Sequence, residues 1–407
     1  MKYFIAIIAC MLFFFSCSEE NNRAPVTKDS TIPGQVSNVR AESLPGAIKL
    51  TYDLPSGQSL SYVKAECVMK NGEVRQVKAT AYQDTLTVEG FGDTSTYTIQ
   101  LYSVNRSELA SKPVSIQARP LTPEFQNVFK TVQLIEGWGG AVVTFKNPNE
   151  TDLAISLIYV DSMGFWNDGQ TFYTKQKSGQ FAIRGFKPQK TTFGVYIRDR
   201  WNNTTDTLTA NLLPRFEKRL DRLKFKEVDL PGDAPYGGWN WVMTNLWDGL
   251  VSNPDFDACP GYVTAANGTW PQWMTMDLGL ANGVKLSRYR MWIRGGGVGE
   301  MFQNQCVKKF ELWGSMKPNP DGSWDNSWTF LLAGEITKPS GLPAGQFSDE
   351  DRQVIFDGEE FEMPLDVPLV RYIRVKVLET WGGVESFHFV ELAFWGQEPG
   401  DVPSGGK

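Results

Sequence analysis

Fourteen tryptophans and one histidine bound the chemistry open to this 407-residue chain. With His388 the only imidazole, no Ser-His-Asp or Cys-His relay can be assembled elsewhere, and a histidine-rich metal site is excluded. Glycoside hydrolysis needs only two carboxylates at a set separation, but no segment has the pattern of a hydrolase, so catalysis is not expected. Tryptophan offers a different chemistry. A pyranose presents an apolar face of C–H bonds that stacks on an aromatic ring, while its hydroxyls need a few placed polar partners. Nine tryptophans lie between Trp239 and Trp328. Trp273, Trp292, Trp313 and Trp395 fall in strand-like runs and read as packing residues. Loop positions remain: Trp239 and Trp241 in Gly237-Gly238-Trp239-Asn240-Trp241, Trp270 after Gly268, and Trp381 in Trp381-Gly382-Gly383. Adjacent glycines leave a ring face uncovered, which favours Trp239 and Trp381. Arg294, Glu385 and His388 are the expected polar partners. The competing role for the set is to cap the hydrophobic core at one end of its domain.

Other signals are weaker. The five cysteines have no CxxC spacing, so a structural zinc site is not expected. Cys259 and Cys306 fall in one domain and either pair or remain buried thiols. Gly295-Gly296-Gly297-Val298-Gly299 follows a strand but is not followed by a capped amphipathic helix, so it reads as a loop and not a nucleotide site. A net charge of −6 with both signs interspersed argues against a nucleic-acid partner.

The elements that must carry these residues are strands. Ile48, Leu50, Tyr52 and Leu54 alternate with polar residues, as do Tyr97, Ile99 and Leu101, which is the period of a half-buried strand. A repeat links two stretches. Gly46-Ala47-Ile48 matches Gly140-Ala141-Val142, and Leu86 to Phe91 matches Phe181 to Phe186. Two β-sandwiches in tandem follow. Trp166 and Trp201 lie in apparent loops of the second, leaving open a site of its own. Residues 214 to 235 mix charge with a faint helical spacing (Phe216, Leu220, Leu223) and read as a linker with one or two helical turns.

At the N-terminus, Lys2 precedes an apolar run from Tyr3 to Phe15, too short to span a bilayer and typical of a secretory signal. Phe14-Phe15-Ser16-Cys17 resembles a bacterial lipobox. That resemblance implies cleavage before Cys17 and its acylation, with several acyl chains giving firm attachment. The acidic run Ser18-Glu19-Glu20-Asn21-Asn22 resembles the export signal of Bacteroidetes surface lipoproteins. The expected location is the outer membrane, anchored by lipid alone and facing outward.

Residues 34 to 119 resemble a fibronectin type III domain, and 120 to 213 a divergent relative of it. Residues 236 to 397 resemble the discoidin, or coagulation-factor type C, family, which shares a galactose-binding-like jelly roll with family 32 carbohydrate-binding modules. Leu246-Trp247-Asp248-Gly249, the run Pro271 to Gly279, Phe310 to Ser315, Arg371 to Val375 and Glu391 to Gly396 carry that likeness in order. It implies a ligand surface on loops at one end of the sandwich, where the candidate residues above would meet. It also implies a structural calcium ion held by Asp248 and Glu391 with loop carbonyls; a turn-capping Asp and an ordinary surface Glu are the alternative.

The expected chain is therefore all-β. After signal residues 1–17 and a tether over 18–33 come two immunoglobulin/fibronectin-III-like sandwiches, the linker, a discoidin-like sandwich over 236–397 and a tail over 398–407. The expected function is non-catalytic glycan binding at the cell surface in a polysaccharide-utilisation system. Its partners would be a polysaccharide or oligosaccharide, and an outer-membrane glycan transporter with its lipoprotein companion. A protein-binding adhesin, or an accessory subunit of a glycoside hydrolase, is the alternative.

Overall fold

The computed structural model describes residues 29–57, 59–253, 261–266, 269–296 and 299–401. Cys17, Cys259 and Gly268 lie outside them. Among the described residues the architecture is β throughout, with two short α-helices. The first domain holds β1 (Ser37–Leu44), β2 (Ala47–Asp53), β3 (Leu60–Val68), β4 (Val74–Thr80), β5 (Thr85–Glu89), β6 (Tyr97–Asn105) and β7 (Val114–Ala118). They form sheets in the orders β1-β2-β5 and β4-β3-β6-β7. Strand alternation sends Ile48, Leu50, Tyr52, Ile99 and Leu101 into one core between the sheets.

The second domain repeats this plan after helix α1 (Glu124–Phe129). Its strands are β8 (Gln133–Gly137), β9 (Gly140–Lys146), β10 (Leu153–Val160), β11 (Trp166–Thr174), β12 (Ser178–Ile183), β13 (Thr191–Arg198) and β14 (Leu208–Leu212). The sheets run β12-β9-β8 and β11-β10-β13-β14. The structure corrects the repeat by one residue: Gly46 corresponds to Gly139, not Gly140. Both take a left-handed φ, 61° and 64°, a conformation glycine adopts without steric cost. The Gly46 carbonyl accepts from the Phe91 amide at 3.1 Å, and the Gly139 carbonyl from the Phe186 amide at 2.9 Å. Their amides donate to Leu121 and Arg215 respectively, where the chain leaves each sandwich. Trp138 thus stands where the first domain has Pro45.

Residues 214–235 are not a linker. β15 (Lys218–Arg219) pairs with β25 (Glu391–Gln397), and β16 (Lys226–Val228) pairs with β18 (Gln272–Asp277), so the segment adds an edge to each main sheet of the third domain. Only a single 3-10 turn, Arg222–Lys224, lies between, its N-cap Asp221 accepting from the Leu223 amide. Leu220 and Phe225 enter the core while Leu223 is 87 % exposed, so the helical spacing marked no helix face.

The remaining strands are β17 (Tyr262–Val263), β19 (Lys285–Trp292), β20 (Val307–Ser315), β21 (Thr329–Glu335), β22 (Glu359–Glu362), β23 (Tyr372–Thr380) and β24 (His388–Phe389), with helix α2 (Asp349–Asp357) before β22. Antiparallel sheets β15-β25-β19-β22 and β16-β18-β23-β20-β21 enclose the core, with Met274, Met276, Ile373 and Val375 from one side and Tyr289, Met291, Leu392 and Phe394 from the other. Trp138 of the second domain joins this third core and is 1 % exposed.

Candidate functional site

One end of the third domain is knitted together by short backbone contacts between its loops. β17 and β24 pair Val263 with His388. The Val263 amide donates to the Trp241 carbonyl at 3.2 Å and the His388 amide to the Gln305 carbonyl at 2.8 Å. Trp239, Trp241, Arg294 and His388, drawn from three separate stretches, therefore meet. The Trp241 and His388 rings lie 4.6 Å apart. The Arg294 guanidinium sits over Trp241 at 4.6 Å and pairs with Glu300 at 2.8 Å. Trp239 stands 6.4 Å from Trp241.

These tryptophans are not equivalent. Trp241 is partly buried, with Arg294 over its ring and His388 beside it. Trp239 is the most exposed tryptophan among the described residues, at 76 %. Its φ is 57° and that of Asn240 is 62°, following Gly238 at 109°. A left-handed conformation is ordinary for glycine and tolerable for asparagine, but costly for tryptophan. Strain of this kind concentrates at functional positions. The loop presents a bare indole where both burial and backbone preference oppose it.

The other expected contacts are placed differently. Trp381 is partly buried: its ring meets Phe302 edge-on at 5.3 Å, Lys308 lies over it at 5.2 Å, and its indole nitrogen is buried without a hydrogen-bond partner. The adjacent glycines signalled a turn, not an open ring face. The Trp270 indole donates to the Leu378 carbonyl at 2.9 Å, and its ring packs on the core. Glu385 is exposed on the loop between β23 and β24. Trp201, left open as a site, has Arg75 at 4.2 Å and Arg200 at 5.2 Å from its ring and serves the contact between the first two domains. Glu300, which fixes Arg294, was not singled out; only the acid's nearness in sequence could have suggested it.

Asp248 and Glu391 are neighbours. Glu391 is 1 % exposed; one carboxylate oxygen accepts from the Gly249 amide at 3.3 Å and the other is buried without a partner. Burial first, and then the negative charge of Asp248, push its carboxyl up to about 8, opposed by the Gly249 amide, Arg222 and Arg219. An orphaned oxygen beside a second carboxylate suits a hard cation. No group of three or more His, Cys, Asp or Glu that could hold a metal occurs among the described residues, so carbonyls and water would supply the rest of any calcium shell. Cys306 is a buried free thiol that donates to the Glu300 carbonyl at 3.3 Å. Its anticipated partner, Cys259, lies outside the described residues.

Three families, each described as a domain of unknown function, match in succession: DUF4959 over residues 33–120, DUF5126 over 121–223 and DUF5000 over 247–396. No curated protein matches the chain. Among solved structures, the SusE-like protein BT2857 is 30 % identical, with 68 % of this chain and 100 % of that one covered and a TM-score of 0.44. A two-domain fibronectin type III segment of chicken tenascin is 14 % identical over 44 % of this chain and 99 % of its own, with a TM-score of 0.23. The chicken interferon gamma receptor alpha chain is 10 % identical over 44 % and 98 %, with a TM-score of 0.20.

Proposed function

Because the chain belongs to the SusE-like proteins, we propose that it is a non-catalytic glycan-binding lipoprotein of a polysaccharide-utilisation system, holding carbohydrate at the Trp239 end of its third domain. The carrying observation is the exposed, left-handed Trp239. An indole facing solvent matches the apolar face of a sugar ring, and the adjoining Trp241 carries the polar groups Arg294 and His388 against its own ring. The discoidin-like assignment of this domain belongs to the same proposal.

Cys17 is the proposed anchor, placing the protein on the outer membrane and outward-facing, beside an outer-membrane transporter and its companion lipoprotein. Among the described residues no helix is long and apolar enough to cross a membrane. Cys17→Ala should release the chain from the membrane fraction; unchanged partition would refute the anchor.

The deciding experiment is a glycan array read with wild type, Trp239→Ala and Trp381→Ala. Trp239→Ala should lose most of the signal at an unchanged melting temperature. Trp381→Ala should melt lower, since its ring is packed. Normal binding by Trp239→Ala would show that the site lies elsewhere.

Protein binding is the second reading, favoured by one observation. Met163 and Phe165, at the β10–β11 turn, are 76 % and 65 % exposed. The turn is held by Asp161, which accepts from the amides of both residues at 2.9 and 3.0 Å.

A further inference from the structure

A cleft of about 660 Å³ opens between the second and third domains, away from Trp239. Its construction begins with one extra residue. β10 and β11 pair Leu157 with Gln170 and then Ile158 with Asp168, leaving Gly169 unmatched. A bulge of this kind bends a strand and re-aims its side chains. Only glycine fits there: a Cβ at residue 169 would lie 2.3 Å from the Ile183 side chain and 2.6 Å from the Leu157 carbonyl oxygen. Asp168 and Gln170, on either side of the bulge, line the cleft and are exposed.

Tyr159 and Phe186, packed edge to face at 4.9 Å, give the cleft an aromatic wall. Arg184 is held rigidly beside it. The guanidinium donates to the Trp138 carbonyl at 2.8 Å and to Glu362 at 2.7 Å, and it pairs with Glu217 at 3.3 Å. Glu360 closes the cleft from the third domain, itself fixed by Arg288 and Arg290 at 2.7 Å each. The neighbouring Gly185, at φ 92°, leaves the mouth open: no atom lies within 4 Å of where its Cβ would be.

An aromatic wall with a carboxylate, an amide and a fixed guanidinium around it is the combination that sugar hydroxyls and C–H faces require. The charge of Arg184 is already matched by Glu217 and Glu362, and Asp168 is acidic, so an anionic sugar is disfavoured. We propose that this cleft is a second saccharide subsite, selective for neutral glycans. It rests on the glycan-binding reading but not on Trp239.

The test is native affinity electrophoresis of the full chain in detergent. The gels would carry neutral polymers (amylopectin, levan, galactomannan, arabinoxylan) or anionic ones (polygalacturonate, chondroitin sulfate). Wild type should be retarded by a neutral polymer. The double variant Asp168→Ala/Gln170→Ala changes exposed side chains only, so its melting temperature should hold while its affinity falls roughly five- to tenfold. Adding Trp239→Ala should abolish retardation. Wild-type retardation of the Asp168→Ala/Gln170→Ala protein overturns the cleft site, and retardation by anionic polymers alone overturns its selectivity. If Trp239→Ala is retarded normally while the cleft variant is not, the cleft stands and the Trp239 reading falls. If no polymer retards the wild type, both fall.

Discussion

The Arg184 guanidinium of the second domain donates to the Glu362 carboxylate of the third at 2.7 Å. Around this bond Glu217 also accepts from the Ser287 hydroxyl at 2.5 Å and pairs with Arg288 at 3.4 Å. Beside the network, Trp138 is inserted into the third domain's core. The two domains share a core residue and a half-buried ion network, and sharing of that kind couples their unfolding.

Trp138→Ala should therefore destabilise the third domain although the residue belongs to the second. Truncating a fully buried tryptophan costs about 3–5 kcal/mol. Calorimetry of the full chain should show one transition for both domains in the wild type and its displacement to lower temperature in the variant. A shift confined to a separate second-domain transition would disprove the coupling.

Arg374 is fully buried near Trp324 and Trp328, at 4.7 and 4.3 Å, with Asp233 at 3.4 Å. Burial raises the Asp233 carboxyl to about 6, against the pull of the Leu230 amide, Arg374 and Thr275. A carboxyl whose folded value lies above its unfolded one favours the fold while protonated, and that contribution is lost as pH rises from about 4 to 6. It amounts to roughly 3 kcal/mol at most. Chemical denaturation across this range should show the decline in wild type and a flatter curve for Asp233→Asn. Identical slopes would refute the assignment.

Calcium is the third expectation. An ion that binds only the folded protein raises its melting temperature by mass action. Millimolar calcium should stabilise the chain, chelator should reverse the effect, and Glu391→Gln should remove it. A calcium-independent melting curve in wild type would reject Glu391 and Asp248 as ligands.

The main strands were legible because one buried face imposes a period of two: Ile48 to Tyr52 and Met274 to Leu278 show it plainly. β15 and β16 were not, because two or three residues are too short to display any period, and Phe216, Leu220 and Leu223 supplied a misleading helical spacing instead. The repeat revealed paired glycines but not their register, which depends on which carbonyl meets Phe91 and Phe186. At the candidate site, glycine neighbours identified Trp239 correctly as exposed and failed for Trp381, whose ring is covered by Phe302 from a distant loop. The cleft was hidden for the same reason: Tyr159, Asp168, Arg184 and Glu360 meet only through the fold.

Trp201 flanked by Arg75 and Arg200 has a mechanical consequence. Arg75 also donates to the Glu89 carbonyl at 2.9 Å, and Arg200 grips the Glu89 carboxylate at 2.6 Å, so the first two domains are clasped from both directions. Tension applied along the chain would load these contacts in parallel, making the joint a stiff strut under pull. Concentrated salt, by screening the exposed Arg200–Glu89 pair, would turn the same joint into a looser elbow.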